Sequence, residues 1–305
     1  MNDWALMILC IYMGQRLGQH FLINKEKLHY VADVLDIQKG ETIIEIGPGH
    51  GELTQYLLDK GARVIALERD TQLIEPLKKK FADKAFEIIE GNALETLPSV
   101  VSALDSGRLC LDEIQGADEA CDRDVVQTLL RGRKRDGNAV VRQTQPPQFK
   151  IAGNIPYYIT GYLLRTIEEL KDKPTLVVMT IQKEVAERIC AKPPQMNLLA
   201  ASVQVWAKAD IVAIVPKGDF NPPPKVDSAT MRLAVFEKQE DNTGYYETIK
   251  RLFSQPRKTI LNNLAGKEGN KEAVAKQLRA LGFDPEARPH ALSVEDLKKI
   301  SGNMK

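Results

Sequence analysis

Apolar runs that end in an acidic or glycine-rich step recur along the first half of the chain. Thr42-Ile43-Ile44-Glu45-Ile46 runs into Gly47-Pro48-Gly49-His50-Gly51 and then into Glu52 to Leu58. This is the pattern of a buried strand, a tight turn and a helix. Lys25 to Asp36 carries Leu28, Val31 and Leu35 at helical spacing, with Asn24 as the expected cap. Arg63 to Glu68 and Ala85 to Glu90 read as further buried strands around a helix over Thr71 to Phe81. The alternation resumes with strands at Phe149 to Gly153 and Thr175 to Ile181, around a helix over Thr160 to Leu170. Helices are expected over Lys183 to Ala191 and Leu198 to Ala207, and the last two strands at Ile211 to Val215 and Ala229 to Phe236. The short link between those two strands predicts antiparallel pairing. Strands alternating with helices predict βαβ units and a largely parallel sheet.

Two stretches break this rhythm. Ser99 to Gln148 has little apolar periodicity and carries the basic run Arg131-Gly132-Arg133-Lys134-Arg135. It reads as a surface insertion between the third and fourth main strands, with the basic run as solvated loop or RNA-phosphate contact. After residue 237 only helical patterns remain, over Tyr246 to Phe253, Lys258 to Leu264, Lys271 to Leu281 and Val294 to Ile300. The expected organisation is an extra N-terminal segment (1–13), an α/β domain (14–237, with the insertion 99–148) and a small all-helical domain (238–305).

The 305 residues carry a formal charge of only +1, so any case for a nucleic-acid partner must be local. From Lys250 to Lys305 there are twelve Lys/Arg against six Asp/Glu, which makes the helical region basic. Cys10, Cys110, Cys121 and Cys190 form no Cys-x-x-Cys pair and do not cluster with the four histidines, so no metal site or disulfide framework is expected, and a cytoplasmic setting is. The apolar run Trp4 to Met13 is too short to span a bilayer and lacks the flanks of a signal peptide. No membrane association is expected, and Met13 is an alternative start.

Chemistry concentrates at the strand ends. Gly47 and Gly49 let a ligand approach bare backbone, as at the nucleotide-binding turn of doubly wound sheets. Glu68 ends the second strand, where an acid accepts from both hydroxyls of a ribose. Asn92 follows the third, where a polar side chain can read an adenine edge. Together these describe an adenosine site and leave NAD and S-adenosylmethionine both open. Asn154-Ile155-Pro156-Tyr157 follows the fourth strand. Pro156 fixes the backbone so that the Asn154 oxygen and a main-chain carbonyl can grip one amino group. Two such acceptors favour a pyramidal, nucleophilic nitrogen on an otherwise unreactive adenine amine. Tyr157 offers a stacking face for a flipped base, and Phe220, at the entrance of the stiff Pro222-Pro223-Pro224 run, would close its other side.

Gly18-Gln19-His20-Phe21-Leu22, Glu45 to Gly49, Asn154 to Tyr157, Gln182-Lys183-Glu184-Val185, Phe220 to Ser228, Arg257-Lys258-Thr259-Ile260 and Leu292-Ser293-Val294 closely resemble the ribosomal RNA adenine dimethyltransferases. The resemblance covers roughly residues 15–98 and 149–300. It implies a Rossmann-like, S-adenosylmethionine-dependent methyltransferase sheet with a small C-terminal RNA-binding helical domain, acting as a monomer without a metal. It further implies dimethylation of two adjacent adenosines near the 3′ end of 16S rRNA, on a 30S assembly intermediate. By position, His20, Leu22, Gly47, Gly49, Glu68, Asn92 and Asn154 would line the donor pocket, with Asn154, Pro156, Tyr157 and Phe220 at the transfer site. Two positions depart: the family usually has Asn where His20 stands and Asp where Asn92 stands, so weaker donor affinity is expected. A 23S rRNA adenine methyltransferase conferring antibiotic resistance shares this core, and a non-catalytic ribosome-assembly factor is the alternative outside enzymes. The complete Pro-Pro-Pro-Lys-Val-Asp-Ser run favours the small-subunit enzyme, and the intact Asn154 and Tyr157 disfavour a non-catalytic factor.

Overall fold

A computed structural model describes residues 20–105, 148–238, 242–266 and 269–304. Residues 1–13, Gly18, Gln19 and the basic run 131–135 lie outside these. By their internal contacts the described residues form two compact units. The first comprises residues up to Lys183 together with Val212–Val235, and the second Glu184–Ile211 with Phe236 onward.

In the first unit, β1 (Phe21–Leu22) and α1 (Lys25–Val34) precede three βα pairs: β2 (Thr42–Ile46) with α2 (Glu52–Asp59), β3 (Arg63–Glu68) with α3 (Thr71–Lys80), and β4 (Phe86–Glu90) with α4 (Ala93–Asp105). Then come β5 (Phe149–Asn154), α5 (Thr160–Glu169) and β6 (Leu176–Gln182). α6 (Lys183–Ile189), α7 (Leu198–Gln204) and the start of β7 (Ala207–Val215) lead through the second unit, and the chain returns for β8 (Phe220–Asn221) and β9 (Ser228–Val235). The main sheet has the order β4-β3-β2-β5-β6-β9-β7, parallel from β4 to β6, with β9 antiparallel to β6. This mixed α/β sheet with a central parallel run matches the expected fold class.

The central strands are apolar along their length because both faces are covered. Ile43, Ile44, Val64, Ile65, Ile151, Val177 and Val178 are fully buried. Asn24 caps α1 as expected, its side-chain oxygen accepting from the Glu26 and Lys27 amides. The far end of α1 is closed from β5: Lys150 Nζ donates to the Leu35 and Asp36 carbonyls and to Glu41 Oε2, each at 2.9 Å.

Within the first unit, two elements differ from the sequence reading. Residues 99–105, expected to open the insertion, complete α4, which runs through Pro98. A proline inside a helix normally costs about 3 kcal/mol. Here Leu97, Val100, Val101 and Leu104 lie along one buried face, and that burial outweighs the lost hydrogen bond. The second is the pairing of β1 with β8, with Phe21 opposite Asn221 and Leu22 opposite Phe220. Two-residue strands have no periodicity to read.

The second unit collects α6, α7, α8 (Thr243–Leu252), α9 (Ile260–Ala265), α10 (Lys271–Ala280) and α11 (Val294–Asn303). Residues 184–211, counted with the α/β domain in the sequence reading, belong here by contact. α7 packs on α8 and α11, and the Tyr245 and Tyr246 hydroxyls donate to the carbonyls of Ala201 and Ser202. Asn263, largely buried, donates from its amide to the carbonyls of Gln255, Lys258 and Thr259 and accepts from Ser254 Oγ. One side chain therefore pins the exposed loop that carries Arg257 and Lys258.

Candidate active site

The carboxyl ends of β2, β3 and β5 open on one cleft of the first unit, lined by His20, Phe21, Gly47, Glu68, Asn154 and Tyr157 among others. The cleft is partly open to solvent. Gly47 has φ +66° and donates its amide to the Leu67 carbonyl at 2.9 Å. A Cβ there would meet nothing within 4 Å, so the bare backbone faces open space that a ligand can occupy. Gly49 backs onto Phe21 instead, and Phe21 in turn packs on the His50 ring, 4.6 Å between centroids. Lys80 Nζ donates to the His50 carbonyl at 2.9 Å and ties the turn to the end of α3.

Two carboxyls sit at this turn. Glu68 is 5 % exposed; Oε1 accepts from the Asp70 amide at 2.8 Å, and Oε2 lies 3.4 Å from the Gly49 amide. Burial raises its pKa, and the backbone amides of Asp70, Gly49 and Arg69 partly offset that. Glu45, at the end of β2, is buried and accepts from Thr54 Oγ1 at 2.7 Å. Burial pushes its carboxyl up to about 8; Thr54 opposes this, and Glu52 and Glu68 add to it. A buried acid held by backbone donors, beside an open glycine turn, suits a cationic ligand carrying a ribose. The residues present therefore fit S-adenosylmethionine.

At the end of β5 the Asn154 amide is oriented by one bond: Nδ2 donates to the main-chain oxygen of His20 at 2.7 Å. Its Oδ1 is left without a partner among the described residues. Because the contact is to the backbone of residue 20, it does not depend on the side chain there. The His20 ring makes its own bond, Nδ1 to the Pro222 carbonyl at 2.8 Å. A carbonyl only accepts, so Nδ1 carries the proton. Pro156 holds φ −54°, and its carbonyl accepts from the Ile159 amide as the chain turns into a short 3₁₀ segment at Tyr157. Tyr157 lies 6.0 Å from the His20 ring and shares a 2.8 Å hydrogen bond with Ser228 Oγ.

Most of the sequence-predicted residues thus converge: His20, Gly47, Gly49, Glu68, Asn154, Pro156, Tyr157 and Phe220 line the cleft. Phe220 does so from the core side: it is only 3 % exposed, sits opposite Leu22 in the β1–β8 pair and packs in the same core cluster. Two expected residues do not. Leu22 is buried in the core with Leu28 and Val31, and Phe21 takes the cleft face, since neighbours on a strand point to opposite sides. Asn92 caps α4: Oδ1 accepts from the Leu94 amide, and Nδ2 donates to Glu95 Oε1 at 2.7 Å. The spacing Asn92-x-x-Glu95 is a helix-start signature and was the available signal. Ile155 and Phe21 line the cleft without having been expected to. Among the described residues no group of three or more His, Cys, Asp or Glu could hold a metal ion, and no helix is long and apolar enough to cross a membrane.

Solved structures share this architecture. A dimethyladenosine transferase from Plasmodium falciparum superposes with TM-score 0.68 at 23% identity, covering 92% of this chain and 96% of that one. The 23S rRNA methyltransferase ErmE gives 0.64 at 20% identity, covering 93% and 99%. At these identities both show the fold. Curated relatives named ribosomal RNA small subunit methyltransferase A are closer in sequence. The protein of Dehalococcoides mccartyi strain CBDB1 is 34% identical over 93% of this chain and 86% of its own length. That of Mycoplasma capricolum is 31% identical, over 93% and 94%. The model of the ribosomal RNA adenine dimethylases matches residues 13–301. A match of that length, over a strand-end cleft built as described, places this chain in the ribosomal RNA adenine dimethylase family.

Proposed function

We propose that the chain dimethylates the exocyclic amines of two adjacent adenosines near the 3′ end of small-subunit rRNA, on a 30S assembly intermediate, as a cytoplasmic monomer with no metal. The observation that carries the site assignment is the Asn154–His20 bond, which commits Nδ2 and leaves Oδ1 for the substrate. S-adenosylmethionine, when bound, supplies an electrophilic methyl group on a sulfonium. Gly47, Gly49, Phe21 and Glu68 would hold it, Glu68 accepting from the ribose hydroxyls. Asn92 would read the adenine edge through Oδ1, which already accepts from the Leu94 amide and has a second lone pair, while Nδ2 stays with Glu95.

Asn154 Oδ1 grips one hydrogen of the target amine. Pro156 O is already occupied by Ile159, so the main-chain acceptor we assign to the other hydrogen is the Ile155 carbonyl. Both acceptors gain strength as the nitrogen becomes cationic, so they stabilise the transition state more than the ground state. Tyr157 and Phe220 hold the base. The second unit, with its basic loop, binds rRNA. The names of the curated relatives favour the small subunit over the large.

The test is methylation of undermodified small subunits with labelled donor, followed by mapping of the modified bases. Dimethylation of two adjacent adenosines near the 3′ end is expected. Small subunits left unlabelled, or labelled only away from the 3′ end, would overturn the target.

A further inference from the structure

Tyr157 would present its ring to the base, and the structure shows what holds that ring. Its hydroxyl is 2.8 Å from Ser228 Oγ, and Ser228 is fully buried at the first position of β9. The backbone there is held in the sheet: Ser228 is in register with Gln182 on β6, and the Lys183 amide donates to the Asp227 carbonyl at 3.0 Å. Ser228 thus belongs to the sheet, whereas Tyr157 belongs to the turn after β5 and is partly exposed. A face used only for stacking would need no hydroxyl, because phenylalanine offers the same apolar surface. A tyrosine hydroxyl bonded to a buried serine of the sheet fixes the plane and reach of the ring.

We propose that Ser228 is a positioning residue for methyl transfer: through the Tyr157 hydroxyl it sets the plane on which the target adenine rests, and so the distance from the amine to Asn154 Oδ1. The proposal rests on the reading of Tyr157 as the base-facing residue. A misplacement of about 1 Å at such a site costs on the order of 100-fold in rate. One lost hydrogen bond loosens the ring without removing it, so a smaller loss follows.

The measurements are steady-state kinetics on undermodified small subunits, calorimetric affinity for S-adenosylhomocysteine, and thermal midpoint, in Ser228→Ala, Tyr157→Phe and the double variant. A roughly 10-fold fall in kcat is expected in each single variant, with KM for the subunits and S-adenosylhomocysteine affinity within two-fold of the parent. The double variant should be no slower than either single one, because both remove the same bond. Tyr157→Phe keeps the proposal testable if Ser228→Ala folds poorly, since it removes the bond from its exposed side. Parental kcat in Ser228→Ala, multiplicative losses in the double variant, or losses that follow donor affinity and thermal midpoint would each overturn the positioning role. Tyr157→Ala separates the two layers. Full turnover there would remove the base-facing role and this proposal with it. Lost turnover there, beside parental kcat in Ser228→Ala, would remove this proposal alone.

Discussion

Asn154 Nδ2 and the main-chain oxygen of His20 lie 2.7 Å apart. That contact decides which end of the amide faces the cleft. Asn154→Asp keeps the shape and replaces the donor with an acceptor, so an oxygen would face the His20 carbonyl. We expect turnover to fall by at least about 100-fold, with S-adenosylhomocysteine affinity within a few-fold in calorimetry. Near-parental turnover would refute the orienting role.

His20→Asn should be mild. The Asn154 contact uses the backbone of residue 20, and an asparagine amide can also donate towards Pro222 O. Turnover within about three-fold of the parent is expected, against a larger loss in His20→Ala. Equal losses in both variants would show that the Pro222 bond is not what the side chain provides.

Glu45 links stability to pH. Its carboxyl is raised to about 8 in the folded chain from an ordinary 4.5. Between those values the unfolded chain has lost a proton that the folded chain keeps, so stability declines as pH rises through this window and levels off above it. The shift corresponds to roughly 5 kcal/mol at most. Thermal melts of the parent should fall from pH 5 to pH 8, and those of Glu45→Gln should fall less. Parallel curves would rule out Glu45 as the source.

Gly153→Ala tests the packing just before Asn154. A Cβ at residue 153 would lie 2.5 Å from the Ile46 carbonyl oxygen, which is backbone of the neighbouring strand and has no room to yield. A loss of about 1–3 kcal/mol is expected in denaturant melts, with a larger proportional loss of turnover because β5 and β2 carry the two halves of the site. A neutral melt would show that the strands can part without cost.

The loop pinned by Asn263 presents Arg257 and Lys258 to solvent. Reversing both charges should weaken small-subunit binding and reduce the slope of log affinity against log salt by about 1–2. Asn263→Ala should weaken binding with the slope retained, because the charges remain while their placement is lost. An unchanged slope after charge reversal would remove this loop from the RNA-binding surface.

Much of this was legible along the chain because the strands alternate with helices and end in recognisable chemistry. Thr42 to Gly51 reads as strand and turn since the apolar run and the glycines coincide, and Glu68 and Asn154 fall where parallel strands must end. The differences have two sources: a local cap contact at Asn92, and partners distant in sequence elsewhere. Asn92 stands at a strand end, where a ligand contact is expected, and its spacing to Glu95 also makes it the cap of α4. Ser99 to Asp105 reads as the start of an insertion, yet the core beneath Val100 and Leu104 carries the helix on through Pro98. Leu22 and Phe21 could not be assigned to faces without β8 to pair against. Ser228 closes the Pro-Pro-Pro-Lys-Val-Asp-Ser run, but only the folded sheet brings it to Tyr157.

β5 grips the segment that precedes it at two points. Lys150 closes the end of α1, and four residues on, Asn154 holds the backbone just ahead of it. Residues 20–36 therefore behave as a bracket fastened at both ends to the strand that carries the reaction. Lifting that bracket frees the Asn154 amide to rotate, so partial unfolding of the first helix is itself an inactivating event. Amide exchange across residues 28–34 should then set the temperature at which turnover is lost, below that at which the central strands open.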